Sequence, residues 1–158
     1  MRSVVLIPTY NEIDSLPSAL DRVRSAAVQA HILVIDDNSP DGTGALADAR
    51  AQSDDHIHVL HRTEKNGLGP AYLAGFKWAL ENDFELIIEM DADGSHRAED
   101  LALLIQRAEM ADKPDLVIGS RWISGGATQG WSQKRVLLSR AGNVYINLAL
   151  GLNVRDAT

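Results

Sequence analysis

A chain of 158 residues, 45% apolar and 23% charged, has the composition of one globular domain long enough to bury a core. The net charge of −7, from 22 acidic and 15 basic residues, argues against a broad nucleic-acid surface and against general attraction to anionic lipid, so membrane contact needs a local patch. There is no cysteine, which excludes disulfides and thiolate metal sites, and the most apolar long window, residues 136–152, is interrupted by Arg140, Asn143 and Asn147, short of a spanning helix.

Short apolar runs open the chain and recur along it, at residues 4–7, 32–35, 57–60, 86–88 and 116–118. Their starts lie roughly 25–30 residues apart, about one strand-plus-helix unit. Runs that are apolar throughout, rather than alternating, predict strands buried on both faces, as in a parallel sheet covered by helices. Between them Leu16, Leu20 and Val23 fall on one helical face, and Leu101, Leu104, Ile105 and Ala108 repeat the pattern. A last helix is expected over residues 133–150. Two glycine-rich loops, residues 66–70 and 125–127, punctuate the order. The expected class is an α/β three-layer sandwich with a mostly parallel central sheet, formed as a single domain over residues 1–158. The chain stops at Asp156-Ala157-Thr158 with no closing helix or polar tail, so it is expected to be a piece cut at its C-terminal side.

Open α/β sheets bind ligands beyond the carboxyl ends of their strands, which directs attention to the residues after each run. These are residues 8–12 (Pro-Thr-Tyr-Asn-Glu), residues 36–43 (Asp-Asp-Asn-Ser-Pro-Asp-Gly-Thr), Asp91-Ala92-Asp93, and Gly119-Ser120-Arg121. Asp91 and Asp93, one residue apart where a strand becomes a turn, suit a hard cation such as Mg²⁺ or Mn²⁺ that keeps positions for substrate phosphates. The alternative is plain turn and helix-cap chemistry. Asp37 is placed to accept hydrogen bonds from a nucleobase edge, and Ser39-Pro40 fits a helix cap followed by proline. A second reading of Ile35-Asp36-Asp37 is the start of a phospho-receiver domain, but a complete strand and helix precede it. Arg121 has the fork to grip diphosphate oxygens and the charge to stabilise a departing diphosphate; its alternative is a surface ion pair. Arg62, Lys65, Lys134 and Arg135 each read as solvated surface when taken alone. Trp122 and Trp131 read as packing, with a lid or acceptor-facing place as the alternative, and the four histidines at 31, 56, 58 and 61 receive no role. His96 is either a helix-start residue or a neighbour of the metal.

Together these strings, in this order, resemble the polyprenol-phosphate (dolichol-phosphate) mannosyltransferases of the GT-A type, and the match runs along nearly the whole chain. The resemblance implies inverting transfer of mannose from GDP-mannose to a polyprenyl monophosphate, at the cytoplasmic face of a membrane with peripheral contact. It implies that Pro8, Tyr10, Glu12, Ile35 and Asp37 hold the nucleoside, that Asp91, Ala92 and Asp93 hold metal and diphosphate, and that Arg121 and Arg135 neutralise phosphate charge. It also matches Asn143 to an amide side chain that helps ligate the metal. Gly94 and Trp122 depart from the usual family residues and leave the sugar open. Two other functions stay in view: glucosyl transfer from UDP-glucose to the same lipid phosphate, and a nucleotide-binding module that needs further chain to act.

Overall fold

The computed structural model describes residues 1–123, 125–126, 128 and 130–157; Ala127 of the second glycine-rich loop and Thr158 lie outside them. The chain divides into two compact units, Met1–Lys113 and Pro114–Thr158.

The first unit follows the expected alternation: β1 (Ser3–Thr9), α1 (Leu16–Ala26), β2 (His31–Asp36), α2 (Thr43–Ser53), β3 (Ile57–His61), α3 (Leu68–Glu81), β4 (Leu86–Glu89) and, after a single 3₁₀ turn, α4 (Leu101–Ala108). The four strands are parallel in the order β3-β2-β1-β4. Val5, Ile7, Ile32 and Val34 point to one face, where Leu16, Leu20 and Val23 of α1, Ala47 of α2 and Leu101 of α4 cover them. Val4, Leu6, Leu33 and Ile35 point to the other, against Ala71, Tyr72 and Ala79 of α3 and the following Phe84. The result is the three-layer α/β/α sandwich that the unbroken apolar runs predict. Loop residues 68–70 fold into the first turn of α3 instead of extending the connection. Pro70 is tolerated there because first-turn N–H groups have no intrahelical partner.

Helix α3 lies close on the sheet because position 75 has no side chain. A Cβ there would stand 2.6 Å from Ile35 Cδ1 and 2.9 Å from Leu6 Cδ1, on two residues with no accessible surface of their own. At the opposite edge of the sheet, near the strand N-termini, His31 Nδ1 lies 2.9 Å from His58 Nε2, and the His56 ring packs edge-on to His31 at 4.6 Å. Arg24 reaches the same group, with Nη2 at 3.0 Å from His56 Nδ1 and Nε on Asp54. Burial, then the charges of His56, His58, Arg2 and Arg24, push His31 down to about 4; burial, Arg2 and His56 also lower His58.

The second unit contains α5 (Gln133–Leu150), as expected from the sequence. The Ser132 hydroxyl caps it, accepting from the Arg135 N–H, and Gly151 at φ 63° ends it in the left-handed conformation that glycine favours. Its exposed side carries Leu137, Leu138, Val144, Tyr145 and Leu148, whereas Ser139 and Asn143 are buried. The fifth strand expected at residues 116–118 does not form. These residues take no strand conformation, and Leu116 is 73% exposed. An apolar run reports hydrophobicity, while a strand also needs a neighbour to pair with, and this run has none. Among the described residues no helix is long and apolar enough to cross a membrane.

Two outcomes follow for stability. Gly75→Ala is expected to lose about 1 kcal/mol net, with overpacking of about 1–3 kcal/mol opposed by about 1 kcal/mol of regained helix propensity. Gly75→Val should lose more, and urea denaturation of the two variants checks the order. Because folding lowers the His31 pKa from 6.5 to about 4, the unfolded chain binds the extra proton across that interval. Stability therefore falls as pH drops from 6.5 towards 4. Thermal melts across this window should show a shallower slope for His31→Gln than for the parent chain.

Candidate donor-binding site

Because all four strands run the same way, the carboxyl ends of β2, β1 and β4 stand side by side. The loops leaving β1 and β2 are tied together at that edge. The main-chain N–H groups of Asn11, Glu12 and Ile13 donate to Ser39 Oγ (3.1 Å), Thr43 Oγ1 (2.9 Å) and Asp41 Oδ2 (3.2 Å). Thr43 Oγ1 donates in turn to Asp41 Oδ1 at 2.6 Å, and this bond, chief among the causes, lowers the Asp41 pKa. Asn11 and Asn38 both sit at φ 59°, a left-handed conformation that asparagine tolerates better than most residues. Ser39 does not cap a helix as the sequence suggested. Helix α2 starts at Thr43 after Gly42, and the Ser39 hydroxyl and N–H instead donate to the buried Asp36 carboxylate at 2.5 and 3.2 Å. The side-chain bond within the Asp-x-x-Ser turn outcompetes an earlier helix start.

Of the residues expected to hold a nucleoside, Pro8, Tyr10, Glu12, Ile35 and Asp37 all fall at this edge, on or just after β1 and β2. Ile35 is fully buried in the layer beneath α3, so its side chain is a floor for the site. The Tyr10 ring carries Lys65 Nζ above it, 3.9 Å from the centroid. Glu12 accepts from the Ser15 hydroxyl. Asp37 is 6% exposed, its N–H donates to Thr9 O, and its Oδ1 accepts from Arg62 Nη1 at 2.6 Å. Each carboxylate oxygen has two lone pairs, so this pair leaves Asp37 acceptor capacity for a ligand.

At the end of β4, Asp91 is half-buried, Ala92 is buried against the α1 and α4 side, and Asp93 is exposed. Asp91 Oδ1 accepts from the Tyr72 hydroxyl at 3.3 Å, and its main-chain N–H donates to His96 Nδ1 at 3.0 Å. That bond puts the proton of a neutral His96 on Nε2. Asp93 Oδ1 accepts from the Ser95 N–H at 2.8 Å, and the Ser95 bonds hold the Asp93 pKa below the usual carboxylate range. Burial, then the charge of Asp91, raises Glu89; burial and the charges of Asp91 and Glu89 raise Tyr72, which stays a hydroxyl donor. The donor set fits Mg²⁺ or Mn²⁺: hard oxygens, one carboxylate kept ionised, at a solvent-facing strand end. Among the described residues no group of three or more His, Asp or Glu stands ready to enclose an ion. An ion held here therefore takes part of its coordination from ligand oxygen or water.

In the second unit Arg121 is forked onto Asp156, with Nε to Oδ2 at 2.8 Å and Nη2 to Oδ1 at 2.5 Å, while the Arg121 N–H also donates to Oδ2. The Asp156 bonds raise the Arg121 pKa; burial alone would raise Asp156, but Arg121 and Asn143 hold it low. Trp131 carries two guanidiniums, Arg121 at 4.7 Å and Arg135 at 4.1 Å from the ring centroid. Arg140 lies 4.8 Å from the Trp122 ring, and these two residues with Arg121, Ile123, Gly126 and Thr128 line a hollow of about 400 Å³. The indole N–H of Trp122 is buried there and has no hydrogen-bond partner among the described residues. Asn143 is buried, its Oδ1 accepting from the Ala157 N–H and its Nδ2 donating to Ser139 O at 3.0 Å, so its amide is engaged within its own unit.

Reading residues one at a time missed Arg62, Asp156 and Tyr72. Arg62 had a usable signal, since it follows β3 at the same sheet edge as Asp37. Its removal would leave a buried carboxylate unpaired. Arg62→Ala is expected to cost about 2–3 kcal/mol, near the lower bound for breaking a buried pair, and chemical denaturation beside Asp37→Asn and the double variant measures the coupling.

Comparisons with known proteins give the family of this chain. The model of glycosyl transferase family 2 matches residues 4–158. An undecaprenyl-phosphate mannosyltransferase of Micrococcus luteus is 52% identical over 158 residues, which are 100% of this chain and 64% of that protein. A polyprenol monophosphomannose synthase of Mycolicibacterium smegmatis is 50% identical over 99% of this chain and 59% of its own length. The chain thus spans about three fifths of these relatives. Among solved structures, the mannosyltransferase PcManGT from Pyrobaculum calidifontis, in complex with GDP-Man and Mn²⁺, aligns at a TM-score of 0.60 and 25% identity over 70% of this chain and 33% of that one. The S. aureus TarS 1-349 structure aligns at 0.53 and 21% identity over 68% of this chain and 33% of its own, a likeness of fold. With the family model covering all but the first three residues, this chain belongs to glycosyl transferase family 2.

Proposed function

We propose that this chain is the donor-binding part of a metal-dependent inverting glycosyltransferase that moves mannose from GDP-mannose to a polyprenyl monophosphate. The observation that carries the reading is the shared sheet edge, where Asp91 and Asp93 stand beside the two tied loops that hold Tyr10, Glu12 and Asp37. The names of the two bacterial relatives support the lipid acceptor, and the GDP-Man and Mn²⁺ in PcManGT support the donor and the ion. In this reading Pro8, Tyr10, Glu12, Ile35 and Asp37 take the nucleoside, and Asp91, Ala92 and Asp93 take the diphosphate and the Mg²⁺ or Mn²⁺. A bound divalent ion neutralises diphosphate charge and makes it a better leaving group. Arg121 and Arg135 add cationic charge for phosphate. Asn143 would serve as a third metal ligand through the second lone pair of its Oδ1, which already accepts from the Ala157 N–H.

A phosphate acceptor is anionic near neutral pH and needs little from a general base, so positioning and leaving-group stabilisation carry the rate. Helix α5 has Lys134, Arg135 and Arg140, no acidic residue and an exposed apolar side, which supports peripheral contact with an anionic membrane surface; in this reading that surface is the cytoplasmic face.

Calorimetry of this chain with GDP and UDP, with and without Mn²⁺, tests the reading. Asp37 can accept from two N–H donors on guanine and one on uracil, so GDP should bind at least tenfold tighter, about 1.4 kcal/mol. Asp93→Asn should abolish the metal-dependent part of GDP binding with little change in melting temperature. Equal affinities for GDP and UDP would favour the UDP-glucose alternative, and unchanged metal dependence in the variant would remove the ion from Asp93.

A further inference from the structure

We infer that Tyr72 is a positioning residue that holds the Asp91 carboxylate in the orientation used to capture the cation; the inference rests on the metal reading of Asp91 and Asp93. Tyr72 sits on the inner face of α3, 9% exposed, among Ala71, Phe84 and the sheet residues Leu6 and Ile35, with the Phe76 ring stacked at 6.3 Å. Only its hydroxyl reaches the ligand edge, donating to Asp91 Oδ1 at 3.3 Å. An ionised carboxylate only accepts, so the direction of this bond is fixed.

Asp91 is therefore held twice. The His96 ring holds its main chain and the Tyr72 hydroxyl holds one carboxylate oxygen, while among the described residues Oδ2 has only the distant His96 Nδ1 at 3.9 Å. A free aspartate at a strand end samples several χ1 wells, and each unproductive well subtracts from cation affinity. A rigid donor on one oxygen selects a single well before the ion arrives, as outer hydrogen-bond partners do at metal sites. The rigidity has a visible source. Tyr72 is one helical turn from Gly75, where a Cβ would meet Ile35 and Leu6, and its own ring is buried beside Phe76, so the phenol is held by its local packing.

The test is Mn²⁺ affinity of the GDP-saturated chain, read from the free-ion electron paramagnetic resonance signal, for the parent, Tyr72→Phe, Trp78→Leu and Asp93→Asn. Tyr72→Phe is expected to weaken Mn²⁺ binding about tenfold, the lower end for an outer-shell partner. Trp78→Leu, which removes the α3 ring packed on His58 and Phe84, should lower the melting temperature and leave Mn²⁺ affinity within twofold of the parent. Parent-like affinity in Tyr72→Phe overturns the inference, and so does equal weakening in both helix variants, which would make the effect one of packing. Asp93→Asn separates the two levels: if it keeps full Mn²⁺ affinity, the metal reading itself fails.

Discussion

Val4 to Ile7 and Ile32 to Ile35 have no accessible surface, so the two central strands must be covered on both faces at once. That requirement forces helices onto each side, and a right-handed crossover between parallel strands supplies them. Once the strands are parallel their carboxyl ends coincide, and the loops that leave them meet. The edge that gathers the candidate site is thus a by-product of covering the sheet. How tightly α3 lies on it is decided by one missing side chain, at Gly75.

The electrostatics of that edge follow from the same layering. Acidic residues gather where strands end, and each is stabilised differently. Asp36 is satisfied locally by Ser39 and Thr9, and serves the turn. Asp37, one residue on, is buried against Arg62, whereas Asp91 and Asp93 have neutral donors and, among the described residues, no Lys or Arg within ion-pair distance. The pair after β4 is therefore the one whose charge is least compensated by the protein, as a cation site requires.

The strand pattern, the outer helices and the gathering of polar residues after β1, β2 and β4 were legible in the sequence because they rest on local signals: continuous apolar runs, helical spacing, adjacent carboxylates. Residues 116–118 carried the same local signal and formed no strand, since pairing depends on a neighbour that a single run does not specify. Arg62 and Asp156 were illegible for a related reason. Their partners Asp37 and Arg121 lie 25 and 35 residues away, and an isolated Arg or Asp looks like solvated surface until the fold brings them together. Tyr72 was hidden by its own burial, because only its hydroxyl distinguishes it from a core aromatic. Ser39 misled in the other direction, with cap chemistry that the Asp36 carboxylate claimed first.

The ties between the loops after β1 and β2 bear on how a ligand would be received. Three consecutive main-chain N–H groups, at residues 11–13, donate to side chains of the neighbouring loop, so neither loop moves without the other. The ordering of about eight backbone residues, at roughly 1–2 kcal/mol each, is then completed when the chain folds and is not charged against association. A nucleotide meeting this edge encounters a formed surface, and its binding should resemble docking to a rigid body more than the folding of a loop around a guest.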